Sequence, residues 1–220
     1  MADDEPTRLE AVIFDLDGVI TDTAVFHERG WQRLADEQGW EFDSTLADEL
    51  RGVSRMDSLE RILEVNAVTA TEEQKREWAD RKNGYYVDAL ADLSPDDLLP
   101  GAHELTVACK EAGLEVAIGS SSKNAQMVLD RLGIADMFAA VSDGHAVEHA
   151  KPAPDLFLHA ARQLGVEPAR CAVLEDAASG VDAAIAAGMV AVGIGPPERV
   201  GHAHHRFDTV GDVDLDALLS

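Results

Sequence analysis

Ala11-Val12-Ile13-Phe14-Asp15-Leu16-Asp17-Gly18-Val19-Ile20-Thr21-Asp22-Thr23 runs from four apolar residues into two carboxylates separated by one leucine, and then into glycine. A short apolar run bounded in this way reads as a strand buried on both faces, the type that parallel sheets contain. Comparable runs recur at Val116 to Ile118, Ala139 to Val141, Ala172 to Leu174 and Val190 to Ile194. Helix-period stretches lie between them at His103 to Glu111, Asn124 to Leu132, Pro154 to Leu164 and Ala177 to Ala187, several stopping at a glycine suited to a C-cap. Strand and helix in alternation predict an α/β fold built on a doubly wound parallel sheet.

From Thr23 to Leu93 the alternation is interrupted. Amphipathic stretches near Phe26 to Gln38, Asp57 to Val65 and Glu72 to Leu90 follow one another without a convincing strand. The pattern predicts a small helical cap domain over 23–93, inserted after the first strand, with 1–22 and 94–220 forming the core domain. Ser94-Pro95 and Pro100-Gly101 punctuate the return to the core. Trp31, Trp40 and Trp78 all fall in the insert, where they are expected to pack between its helices.

The chain has 220 residues, of which 46% are hydrophobic and 5% aromatic, so a core rich in aliphatic residues and alanine can form without disulfides. Its 42 acidic and 18 basic residues give a net charge of −24, which would repel nucleic-acid backbones and anionic lipid. Neither nucleic acid nor membrane is an expected partner. Cys109 and Cys171 are far apart and lack metal-ligand spacing, which fits a reducing compartment. The opening residues MADDEPTRLE hold neither a basic nor an apolar region of the kind a leader needs, so a soluble cytoplasmic protein is expected; the expected assembly state is a monomer.

In open α/β sheets ligands bind beyond the carboxyl ends of the strands, where Asp15 and Asp17 would project on the same side. Two neighbouring carboxylates repel, and a divalent cation can neutralise them together with an incoming phosphate. Magnesium is the natural candidate. A second pair, Glu175 and Asp176, follows the apolar run Ala172 to Leu174. Gly119-Ser120-Ser121-Ser122-Lys123-Asn124 brings hydroxyls to the start of a helix, where they and free N–H groups can hold phosphoryl oxygens or simply cap the helix. Lys151, one of only five lysines, stands in a rigid turn before Pro152, and its ammonium can offset carboxylate and phosphate charge.

Asp15-Leu16-Asp17-Gly18-Val19-Ile20-Thr21-Asp22-Thr23 resembles the first motif of the haloacid dehalogenase superfamily of phosphotransferases, in the wording of its β-phosphoglucomutase branch. The resemblance covers roughly residues 10 to 200 and implies a Rossmann-like core carrying a helical cap. It implies that Asp15 attacks phosphorus to form an aspartyl phosphate and that Asp17 acts as general acid and base. By the same resemblance Ser120 and Lys151 hold the transferring phosphoryl group. The resemblance further implies that Asp15, Glu175 and Asp176 supply oxygens to Mg²⁺, with Asp17 contributing through its backbone carbonyl. Leu50-Arg51-Gly52-Val53-Ser54-Arg55-Met56-Asp57-Ser58 is similar to the branch's cap loop, which implies that Arg55 grips the phosphate not being transferred. Gly52, Val53 and Ser58 would line that loop, with Arg51 standing where lysine is common. Ser121, Lys123 and Asn124 would join from the core.

Thr23, His27 and Lys82 match cap residues that swing the second aspartate into place when sugar closes the site. The activity implied is interconversion of β-D-glucose 1-phosphate and glucose 6-phosphate through a β-glucose 1,6-bisphosphate intermediate. A hexose-phosphate phosphatase with the same core is the alternative, and a silent sugar-phosphate sensor is opposed by the intact Asp15 and Asp17.

Other signals carry less. Ser120-Ser121-Ser122-Lys123 fits an S-x-x-K pattern but lacks its S-D-N and K-T-G partners. His202, His204 and His205 are expected in a flexible surface loop, not around a metal, and Asp212 to Asp216 reads as an acidic lead into a terminal helix. The acidic, lysine-poor composition has one direct consequence: added salt should screen the self-repulsion and raise stability steeply. Thermal unfolding across a potassium chloride series checks this, and a flat Tm contradicts it.

Overall fold

The computed structural model describes residues 8–219. Met1 to Thr7, at the start of the acidic opening stretch, and Ser220 lie outside the described residues, so the core boundaries at 1 and 220 do too. Six strands form one sheet: β1 (Ala11–Phe14), β2 (Glu115–Gly119), β3 (Ala140–Ser142), β4 (Cys171–Glu175), β5 (Val190–Ile194) and β6 (His205–Phe207). They are ordered β3-β2-β1-β4-β5-β6 and all pair in parallel. The chain winds outward from β1 in both directions, which places the topological switch point between β1 and β4. Every residue of β1 is buried. Val12 and Phe14 enter one core cluster and Ala11 and Ile13 the other, as the two-residue period of a strand requires.

The face bearing Phe14 is covered by α5 (Ala102–Glu111), α6 (Ala125–Leu132) and α10 (Leu215–Leu219). The opposite face packs on α7 (Asp155–Leu164), α8 (Ala178–Ala186) and α9 (Pro197–Val200). Burying a side chain the size of Ile13 or Phe14 contributes about 1.5–3 kcal/mol, so the aliphatic strands supply the driving force that few aromatics could.

Four helices, α1 (Ala24–Gln38), α2 (Ser44–Glu49), α3 (Arg55–Val65) and α4 (Glu72–Ala89), follow β1 and pack around their own cluster of Trp31, Leu34, Leu59, Ile62 and Ala79. Trp40 and Trp78 meet edge to face at 4.9 Å at its margin, so all three tryptophans pack as expected. Their starts are set locally: Asp43 caps α2, Ser54 caps α3, and Thr71 with Gln74 forms a capping box on α4. Among the described residues no helix is long and apolar enough to cross a membrane.

Two expectations need correction. His205 lies in β6 beside β5, not in a flexible loop, and His204 Nδ1 accepts a hydrogen bond from Ala191 N at 2.9 Å. A three-residue edge strand with two exposed residues has no apolar pattern to betray it. α2 is likewise an element that the hydrophobic periodicity did not reveal, being six residues with Leu46 alone buried.

Two glycines are required where the strands end. A Cβ on Gly18, at φ +85°, would lie 2.4 Å from Asp176 Cγ, and one on Gly180, within α8, would lie 2.0 Å from Glu175 Cδ. Alanine normally favours a helix over glycine by about 1 kcal/mol. Overpacking costs about 1–3 kcal/mol and decides the sign here. Gly180→Ala should therefore lower Tm; a rise in thermal unfolding temperature would show that Glu175 can yield.

Candidate active site

Asp15 is the first residue after β1, and its N–H donates to Leu174 O of β4 at 2.9 Å. Since Phe14 pairs with Leu174, the register sets Asp15 beside Glu175 at adjacent strand ends. Lys151, in the turn between β3 and α7 and joined to Pro152 by a cis bond, reaches in from the next connection. Its Nζ donates to Asp15 Oδ1 at 2.6 Å and to Glu175 Oε2 at 2.8 Å, with no exposure of the ammonium-bearing side chain. Ala177 N holds the other Glu175 oxygen at 3.0 Å.

Asp15, Glu175 and Asp176, all buried, each direct a carboxylate oxygen to within 4.8 Å of the others. An all-oxygen, anionic donor set of this kind fits a hard cation such as Mg²⁺. Electrostatics point the same way. Burial, with Asp15 next in size, pushes Asp176 up to about 6 against the opposing pull of Arg199 and Arg51. Burial and Asp15 also raise the Glu175 carboxyl. Burial works to lower the Lys151 ammonium, but Asp15 and Glu175 outweigh it and hold it above its ordinary range. One ammonium thus faces more negative charge than it can balance.

Asp17 stands apart from this trio. Its side chain is not among the three converging carboxylates; Oδ1 is buried with no hydrogen-bond partner, and burial followed by Asp15 and Asp176 pushes it up to about 8. A carboxyl that keeps its proton near neutrality suits a general acid. Ser120 is fully buried and does not cap α6: its Oγ accepts from Ser122 N at 3.1 Å, and its N–H donates to Ser142 O.

The helical insert closes over these strand ends, leaving a cavity of about 420 Å³. From the core Asp15, Asp17, Asp176, Ser121 and Lys123 line it. From the cap come Arg51, Gly52, Val53, Arg55 and Ser58, together with His27 and Lys82. Ser54 begins α3 and so puts Arg55 at its first turn, over the cavity. Gly52, at φ +71°, lets the cap loop approach the core closely, since a Cβ there would lie 2.9 Å from Ser179 Oγ. Ser121 Oγ donates to Gly52 O at 3.0 Å, and Arg51 Nη1 lies 3.3 Å from Asp176 Oδ2.

Asn124 does not line the cavity. Its Nδ2 donates to Asn83 Oδ1 of the cap at 2.9 Å, a further tie between the two parts. Ser120, Lys151 and Glu175 sit just behind the cavity wall, as does Thr23, which is buried with its Oγ1 unpartnered. His27 Nδ1 and Lys82 Nζ are 2.6 Å apart, and burial, then Lys82, holds the imidazole well below its usual range and neutral.

Two residues escaped sequence reasoning. The Tyr86 ring stacks on His27 at 3.9 Å; its place four residues after Lys82, on the same side of α4, was the available signal. Arg199, whose Nη2 lies 3.8 Å from Asp176 Oδ2, had no signal at all.

Residues 9–188 match the family model described as haloacid dehalogenase-like hydrolase. The chain is 44% identical over 212 residues to the β-phosphoglucomutase of Bacillus subtilis (strain 168), covering 96% of this chain and 94% of that one. It is 33% identical over 188 residues to a fructose-1-phosphate phosphatase of Escherichia coli (strain K12), covering 85% of this chain and 97% of the relative. Among solved structures, the β-phosphoglucomutase of Clostridium difficile superposes with a TM-score of 0.92 at 39% identity, over 96% of this chain and 95% of that chain. Strand order, the carboxylate cluster at the switch point and these similarities agree: the chain belongs to the haloacid dehalogenase-like hydrolase family, in its β-phosphoglucomutase branch.

Proposed function

We propose that the chain is a cytoplasmic β-phosphoglucomutase that works through phospho-Asp15, with 23–93 acting as its cap. The observation that carries this reading is a group of cations around one cavity. Arg55, Arg76 and Lys123 all line the cavity, and none of them has an ion-pair partner among the described residues, although acidic residues outnumber basic ones 42 to 18. Cations gathered without ion-pair partners around one cavity suit an anion from outside. A second phosphate is that anion, and a bisphosphate intermediate must be held at both ends.

The steps then follow. The C6 hydroxyl of β-D-glucose 1-phosphate gives its proton to Asp17 and attacks the phosphorus of phospho-Asp15, releasing the Asp15 carboxylate and forming the 1,6-bisphosphate. After the bisphosphate turns over, Asp15 attacks the C1 phosphoryl group and Asp17 returns the proton to the departing C1 oxygen, yielding glucose 6-phosphate. Lys151 and the buried Ser120 stabilise charge on the transferring group. Asp15, Glu175 and Asp176 would hold Mg²⁺, which supplies charge neutralisation at the phosphoryl oxygens when bound.

Thr23, His27, Lys82 and the stacked Tyr86 surround the approach to Asp17 from the cap side, so the acid and base is complete only when the cap is shut. Water, unlike sugar, contributes nothing to shutting it.

In a bisphosphate-primed coupled assay the wild type should convert β-glucose 1-phosphate to glucose 6-phosphate, whereas predominant release of inorganic phosphate would mark a phosphatase. Asp15→Asn should abolish both covalent labelling by a radiolabelled phosphoryl donor and turnover. Arg55→Ala should spare hydrolysis of a simple phosphate ester and reduce mutase flux about 10- to 100-fold, the worth of a charged hydrogen bond. Wild-type flux in either variant contradicts the mechanism.

Lys82 also ties function to pH. Burial, and then Arg55, brings its ammonium down from 10.5 to about 7. Because the folded value lies below the unfolded one, folding carries the full penalty below pH 7, and the penalty fades as pH rises towards 10.5. Lys82→Met should thus gain thermal stability over wild type at pH 6, lose that margin by about pH 10, and lose mutase activity. No gain at pH 6 in a melting curve would show that contacts with His27 dominate.

A further inference from the structure

Asp176 has a side chain 8% exposed, and its charged partners are two guanidinium groups that address the same oxygen. Arg51 Nη1 lies 3.3 Å from Oδ2, and Arg199 Nη2 lies 3.8 Å from it. The two differ in where they stand. Arg51 belongs to the cap loop, held to the core through Ser121 and Gly52. Arg199 belongs to α9 and rests on the core cluster through its neighbour Val200.

When the cap loop withdraws from the strand ends, Arg51 leaves with it. Arg199 then remains as the guanidinium on Asp176. Its place is specifically built: the backbone turns at Gly195, φ +127°, where a Cβ would come within 2.9 Å of Arg199 Nη2, and Arg199 Nε is buried without a hydrogen-bond partner. Nothing next in the chain can substitute, because Ala177 and Ala178 carry no side-chain donor.

We propose that Arg199 is a positioning residue for the cation site, orienting the Asp176 carboxylate from the core side so that the Asp15, Glu175 and Asp176 oxygens stay assembled while the cap is open. This rests on reading that cluster as a Mg²⁺ site. Arg199 also repels a cation, but across the intervening carboxylate, whereas its hold on Asp176 acts directly on a ligand. Losing the outer partner of a ligating group weakens metal binding about 10- to 100-fold, and we take that effect to win.

Isothermal titration of the full chain with magnesium chloride tests this, with circular dichroism confirming that each variant is folded. Arg199→Ala and Arg199→Gln should raise the Kd for Mg²⁺ about 10- to 100-fold. Arg199→Lys should recover part of the loss, since the charge returns without the planar fork. If Arg199→Ala does not fold, the glutamine and lysine variants give the same contrast. Binding in the alanine or glutamine variant as tight as wild type, or tighter, overturns the positioning role alone. A wild-type chain that binds no Mg²⁺ overturns the cation reading, and this inference with it.

Discussion

Three buried carboxylates at the ends of two adjacent parallel strands repel one another, and the surrounding structure is organised around making that repulsion usable. Lys151 answers part of it through hydrogen bonds of 2.6 and 2.8 Å to Asp15 and Glu175. Burial raises the cost of the remaining charge, because the cluster lies in low dielectric where both attraction and repulsion are strong. An arrangement that is unfavourable alone is one that a bound hard cation would relieve. Gly18 and Gly180 belong to the same constraint: both carboxylates next to them occupy space that a side chain would otherwise take.

The cap solves a different problem. In the proposed mechanism phosphoryl transfer to sugar competes with transfer to water, and a core alone does not distinguish them. The cap loop brings Arg51 and Arg55 over the strand ends, while α1 and α4 bring His27 and Lys82, so charged and polar groups that no single domain holds become one enclosure. Ser121 with Gly52 and Asn124 with Asn83 tie the two parts by single hydrogen bonds, each of modest net strength. The pairing of Arg51 with Asp176 extends the link to the carboxylate cluster itself.

Asp17 connects these two problems. It follows Asp15 by two residues on the core, yet its surroundings include Lys82 from the cap and Asp15 and Asp176 from the core. Its unpartnered Oδ1 marks a group that lacks a fixed structural task in this state. In the proposed mechanism a proton held by burial and like charge is available to a leaving oxygen, and the carboxylate that results can serve as the base in the next half-reaction.

The central strands, the helical insert and Asp15, Asp17, Ser120, Lys151, Glu175 and Asp176 were all legible in the chain, because each rests on a local pattern: an apolar run, a helical period, a polar residue at a strand's end. Their convergence was legible too, since parallel winding brings successive carboxyl ends to one edge. Other features come from packing alone. β6 and α2 are short and held by neighbours more than by their own hydrophobic pattern. Asn124 turned out to face Asn83, not the cavity, because the two lie 41 positions apart and meet only when the cap folds over the core. Arg199 finds Asp176 across α8 and β5, and no spacing in a linear chain encodes that approach. Local preference sets which residues end a strand; through-space crowding sets which charge each of them must face.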